Sequence, residues 1–256
     1  MKFLKSALSI FVMMYGVASA QTEAYKIITC SKPDVIPVKS YLLYDVATKD
    51  AALIDAGVSA EVVSAQIETN GLHLQYILIT HCHPDHVEGL PALRAKYPAA
   101  KVCFTKEEYE DMKSYARWRE VFSPALVAAW TKDPAMVKLM DFDYGRIGKP
   151  DIFIDDGQEI KFGGLSVTAL RTPGHSRGSA SFSAGDVVFP GDLILYHSTG
   201  YLDYPLCSKE EIVKSIRRLY RTFPEGTKLL SAHGDASTIG YEKANNKNVT
   251  PDKVVW

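Results

Sequence analysis

Short runs of apolar and polar residues alternate along the chain and stop at turn-forming positions. Residues 25–30, 41–46 and 52–55 read as strands, separated by segments that hold Pro33, Pro37 and Asp50. Residues 58–69 switch to helical spacing and end at Asn70-Gly71, a helix stop. The run QYILIT at 75–80 is an apolar strand that leads straight into His81, 85–96 reads as one helix, and 101–104 as a further strand. Alternating strand and helix predicts a sheet covered by helices.

Residues 106–146 interrupt that rhythm. They are rich in Glu, Lys, Met, Tyr and Trp and poor in strand signals, which predicts two or three helices inserted into the fold. Strands resume at 151–154, 159–162, 165–171, 179–183 and 187–189. Residues 208–223 form an amphipathic helix with Ile212, Ile216, Leu219 and Tyr220 on one face. A last strand is expected at 228–232, again delivering a histidine, and a polar tail over 245–256 is expected on the surface. The two halves share a layout of several strands followed by a helix. That suggests an α/β fold in which two sheets pack face to face with helices outside, forming a single domain over 21–256.

The first twenty residues follow another logic. Lys2 and Lys5 precede an apolar run over 7–17, and Ala18-Ser19-Ala20 puts small residues where a signal peptidase cuts. A cleaved signal over 1–20 and a periplasmic or secreted product are therefore expected. The run is too short to span a bilayer comfortably, so no stable membrane anchor is expected after cleavage. Cleavage removes two lysines and no acid, taking the formal net charge from −1 to −3. So balanced a charge excludes nucleic acid and anionic membrane as expected partners, and 46% hydrophobic residues is ordinary for a globular domain. Export permits disulfides, but Cys30, Cys82, Cys103 and Cys207 contain no CxxC pair, and a core of this size needs no staples. Free buried thiols are the expectation.

The chemistry concentrates in His81-Cys82-His83-Pro84-Asp85-His86, where an apolar strand passes into a helix. His81 and His83 are two residues apart, so an extended chain points both imidazoles to one side and Cys82 to the other. Asp85 and His86 lie where the chain turns, able to face a second point nearby. Imidazole and carboxylate together suit zinc, with iron or manganese as alternatives. His175 in TPGH, Asp192 in GD and His233 in AHG each follow the C-terminal end of an apolar strand, where sites are commonly built. His73 and His197 lack that context; His73 is assigned to the surface and His197 to the rim at best.

The ordered set LIDAG with Asp55, THCHPDH, TPGH, GD and AHG resembles the metallo-β-lactamase superfamily, and within it the glyoxalase II-like hydrolases. The ending HGDASTIGYEKANN is similar to that of compact members of this group. The resemblance spans about 38–245, interrupted by the insert. It implies an αββα sandwich with two zinc ions along one edge. One ion would take His81, His83 and His175, the other Asp85, His86 and His233, with Asp192 bridging; Asp55 would lie behind, holding the loop. A water shared by two ions about 3.5–4 Å apart has a pKa near neutrality and attacks an ester, thioester, lactone or amide carbonyl. Asp85 would also act catalytically, orienting that water and shuttling its proton.

Departures from the subfamilies narrow the substrate. Related β-lactamases usually carry Cys or Ser where Asp192 stands, which disfavours dedicated penicillin hydrolysis. The helical C-terminal domain with which glyoxalase II grips glutathione is expected to be missing. Acyl-homoserine lactonases place a tyrosine where Leu195 stands here, with Tyr196 adjacent. Persulfide dioxygenases have a similar histidine motif but use one iron, so an iron oxygenase is the main alternative; β-lactamase activity and a non-catalytic metal-binding module are others. Within the insert, Tyr109, Met112, Tyr115, Trp118, Phe122, Trp130, Met136 and Met140 form either an apolar lid, favouring a small-molecule substrate with a hydrophobic arm, or a helical cap or dimer contact. Trp118, Tyr196, Tyr201 and Tyr204, with Leu206, are candidates to line the cleft.

Overall fold

The computed structural model describes residues 24–32 and 36–248, so the expected signal at 1–20 and the last residues of the polar tail lie outside the described residues. The first sheet holds β1 (Tyr25–Lys32), β2 (Val38–Asp45), β3 (Asp50–Ile54), β4 (His73–Leu78), β5 (Lys101–Phe104) and β6 (Ile152–Phe153), in that order. Its first two pairings are antiparallel and the remaining three parallel. The second sheet runs β12 (Ser237–Thr238), β11 (Lys228–Leu229), β10 (Val187–Phe189), β9 (Ala180–Ala184), β8 (Leu165–Arg171) and β7 (Glu159–Phe162).

Period-2 alternation decides which core each strand residue enters. On β2, Tyr41 and Leu43 face the core between the sheets while Leu42 and Tyr44 face the helices. On β10, Val187 and Phe189 point between the sheets, and Val188 points to the opposite core. The first sheet's outer face is covered by α1 (Ala60–Asn70) and α3 (Leu90–Lys96) through Val63, Ile67, Leu90 and Leu93. The second is covered by α8 (Lys209–Thr222) through Ile212, Ile216 and Leu219. Helix, sheet, sheet and helix make an αββα sandwich, as expected.

Three expectations are corrected. The single helix expected over 85–96 is two, α2 (Pro84–Val87) and α3, because Pro91 in the first turn of α3 has no N–H to continue the ladder. Gly89 at the break packs against backbone: a Cβ there would lie 2.4 Å from the Val58 carbonyl oxygen. The insert holds four α-helices rather than two or three: α4 (Lys106–Tyr115), α5 (Trp118–Val121), α6 (Pro124–Trp130) and α7 (Pro134–Met140). Ser123-Pro124 and Asp133-Pro134 restart helices, since each N-cap side chain accepts a backbone N–H and each proline follows at N1. The strand expected at 228–232 ends at Leu229, and β12 and α9 (Ile239–Asn245) follow it.

The two sheets are pinned together at one edge. The Ala180 N–H donates to the Thr80 carbonyl at 2.9 Å, the Lys39 N–H to the Ala232 carbonyl at 2.9 Å, and the Tyr41 hydroxyl to the Ser231 carbonyl at 2.6 Å. These contacts align the ends of β4, β9 and β11, and the histidine-bearing loops leave from there.

Candidate metal centre

Each ligand-type side chain enters from a strand end. His81, His83, Asp85 and His86 follow β4, His175 follows β8, Asp192 follows β10 and His233 follows β11. The bend before Asp192 requires Gly191, whose φ is +55° and whose missing Cβ leaves room for the Thr80 hydroxyl, 2.7 Å from where that carbon would be.

The structure brings all of them to one place. Ligand atoms of His81, His83 and His175 lie within 4.8 Å of one another, as do those of Asp85, His86 and His233. Asp192 sits between the groups, with Oδ1 3.5 Å from His86 Nε2 and Oδ2 3.6 Å from His175 Nε2 and 3.7 Å from His233 Nε2. The far ring nitrogens are held from behind: His86 Nδ1 faces Asp55 Oδ2 at 2.9 Å, His175 Nδ1 donates to the Tyr201 carbonyl at 2.9 Å, and His233 Nδ1 to the Pro37 carbonyl at 2.7 Å. Such outer partners fix ring orientation and present the inner nitrogen to a cation. Asp55 itself adopts φ +58°, and its Oδ1 accepts the Thr80 N–H at 2.8 Å.

A divalent cation fits the polar atoms left over. Nε2 of His81 and His86 and Oδ1 of Asp192 are buried without a hydrogen-bond partner. Native interiors seldom leave so many polar atoms unpaired in one place, and a cation would satisfy them together.

The metal-free electrostatics split the rings into two kinds. Burial drives the pKa of His83 down to about 3 and that of His81 well below the usual range. Burial opposes charge on His233 too, but Asp192 and Asp85 raise its pKa to about 9. At His86 burial is likewise overcome, by Asp55, Asp192 and Asp85, and the pKa stands well above normal. Burial would raise Asp85, yet His86 and His233 hold it at about 2.

A family model described as the metallo-beta-lactamase superfamily matches residues 33–233. The chain belongs to the metallo-beta-lactamase superfamily. Among its relatives there, hydroxyacylglutathione hydrolase GloC of Haemophilus influenzae is 27% identical over 228 residues, covering 83% of this chain and 95% of that one. The human mitochondrial persulfide dioxygenase ETHE1 is 26% identical over 218 residues, covering 82% and 71%. Of solved structures, the BLEG-1 B3 metallo-beta-lactamase superposes with a TM-score of 0.69 at 26% identity, covering 88% of this chain and all of that one. Its relatives in the superfamily thus include a hydrolase and a dioxygenase.

Beside the histidines lies a cavity of about 310 Å³. Tyr201 and Tyr204 line it, and so do Tyr115, Phe122, Trp130, Met136 and Met140 of the insert. Trp118 does not: it is 1% exposed, its Nε1 donates to Asp141 at 2.9 Å, and it forms the insert's own core. Tyr196 does not line the cavity either, being exposed and stacked on His197 and Tyr241. Leu206 packs against the helix-side core, Met112 lies in that core, and Tyr109 faces a separate hollow. His73 is on the surface. All four cysteines are free, and Cys82 is buried in the helix-side core, away from the ligand groups.

The sequence reading missed Glu108. This fully buried carboxylate accepts the Cys82 N–H at 2.7 Å, the Gly178 N–H at 3.1 Å and the Ser176 hydroxyl, joining two ligand-bearing loops. In the sequence it is one acid among several on a polar-looking helix, and the signal for its burial lies in partners seventy residues away.

Proposed function

We propose that the chain is an exported hydrolase that uses two zinc ions to cleave a carbonyl ester, thioester or lactone. The observation that carries this reading is Asp192, which reaches both histidine groups: Oδ2 lies 3.6 Å from His175 Nε2 of one and 3.7 Å from His233 Nε2 of the other, and Oδ1 lies 3.5 Å from His86 Nε2. His81, His83 and His175 would hold one ion, Asp85, His86 and His233 the other, and Asp192 both. Bound divalent ions supply a water of lowered pKa and polarise the carbonyl under attack. Asp85, with Oδ2 3.2 Å from His233 Nε2 and its side chain on the cavity wall, orients the attacking water and accepts its proton. Asp55 holds the His86 ring in place throughout. Export is supported by Lys2, Lys5, the apolar run at 7–17 and Ala18-Ser19-Ala20.

A second reading, oxidation at one iron, draws on the likeness to the persulfide dioxygenase. Elemental analysis of the purified chain separates them. Near two zinc per chain, with turnover of a thioester or lactone panel, supports hydrolysis. About one iron with oxygen consumption on a persulfide replaces it.

A further inference from the structure

Tyr204 stands on a seam between two ring systems. On one side its ring lies 5.5 Å from that of His83 and 6.3 Å from that of His175; on the other, 5.1 Å from Phe122 and 5.6 Å from Trp130. Phe122 and Trp130 belong to a small apolar cluster built by α5–α7, in which Tyr204 is the member from outside the insert. The cavity follows the same seam. Its wall includes His83, His175, Asp192 and His233 together with Phe122, Trp130, Met136 and Leu139.

Its size suits a small organic molecule, for which pockets of about 300–1,000 Å³ are usual. The composition of its wall is more selective than its size. Among the described residues none that lines it is Lys or Arg, and its charged groups are the ligand-type His and Asp side chains. Lys39 comes near His233 but spends its ammonium on the Gly234 carbonyl and is not part of the wall. Helix α6 buries none of its residues in the protein interior, and Trp130 stays half-buried on the cavity side. Away from the ligand-type residues, an anionic arm, such as one bearing free carboxylates, would lose its hydration with no Lys or Arg to replace it. An alkyl or aryl arm would gain by leaving water.

We propose that the cavity selects a neutral carbonyl substrate with an extended apolar arm, and that Trp130 and Met136 determine how long that arm can be. This rests on the hydrolase reading and adds the substrate class to it. In the reaction, a water oxygen bonds to the carbonyl carbon, the carbon–oxygen or carbon–sulfur bond breaks, and the leaving alcohol or thiol takes a proton.

The test uses the zinc-loaded chain with p-nitrophenyl esters from acetate to decanoate. kcat/KM rises by up to about fourfold per added methylene until the cavity is full, with the gain in KM. Trp130→Ala changes the length at which the rise ends. Met136→Arg raises the rate on an ester ending in a carboxylate relative to its methyl-ended counterpart. Binding of N-alkyl acetamides, followed by tryptophan fluorescence, reads the arm without turnover and tightens with length. Hydrolysis of acetate with a flat length profile, or a preference for a glutathione thioester over a neutral alkyl thioester, overturns the inference and leaves the hydrolase reading standing. Failure to hydrolyse any ester overturns the hydrolase reading, and acetamide affinity independent of length overturns the apolar arm in that case as well.

Discussion

The backbone N–H of Cys82 donates to Oε2 of Glu108 at 2.7 Å, tying the turn that carries His81 and His83 to the first turns of α4. Through Oε1 the same carboxylate accepts from Gly178 and Ser176, just beyond His175. Burial pushes its pKa up to about 7, against the hydrogen bonds from Ser176 and Cys82. A carboxyl whose folded pKa exceeds its unfolded value holds its proton more tightly when folded. Its contribution is complete at low pH and is lost as pH rises from about 4.5 to about 7. The metal-stripped chain is expected to lose stability across that window, and Glu108→Gln to remove that part of the slope. Urea unfolding of both proteins at several pH values checks it, and parallel slopes would sink the idea.

Asp55 is expected to act on metal affinity through His86. Asn tolerates the left-handed backbone that Asp55 adopts, so Asp55→Asn removes the charge while keeping the turn. The outcome expected is metal affinity weaker by about 10- to 100-fold, read by competition with a chromophoric chelator. Unchanged affinity would leave Asp55 a purely structural residue.

Metal loading should release protons at neutral pH. In the metal-free chain His233, with a pKa of about 9, is protonated at pH 7, and Asp55, Asp192 and Asp85 raise the pKa of His86 as well. A coordinating nitrogen must give its proton up. Calorimetric titration with zinc in buffers of differing ionisation enthalpy is expected to show net proton release, to which His233 contributes. A buffer-independent heat contradicts this.

Removing a ligand-type residue should remove activity and metal together. His81→Ala and Asp192→Asn are each expected to lower turnover at least about a hundredfold and to deplete bound metal by elemental analysis. Near-normal turnover in either purified variant refutes the assignment.

The mature chain is expected to begin at Gln21. N-terminal sequencing of protein recovered from the periplasm or medium of an expressing bacterium reads this directly. Retention of Met1 in the cell interior would remove the exported reading.

The site could be read from the sequence because its residues follow strand ends in short, dense motifs, and period-2 alternation fixes where His81 and His83 point. Local rules reached those residues, and the superfamily resemblance ordered them into two groups. Glu108 escaped because its partners, Ser176 and Gly178, are distant in sequence and meet only after the sheets pack. Trp118 and Tyr196 were misplaced for a related reason. Composition marks an aromatic residue as apolar but cannot say whether it faces a cavity, a neighbouring helix or water. Pro91, Pro124 and Pro134 did carry the helix breaks that a reading by periodicity alone ran across.

The insert leaves the first sheet at the end of β5 and rejoins it on β6, the strand hydrogen-bonded alongside. A detour between neighbouring strands can be lengthened, shortened or exchanged without rethreading the sheet. The reactive edge and the roof above it can therefore evolve on separate schedules, with new substrate preferences arising from drift in 118–140 while the cation-gripping loops stay fixed.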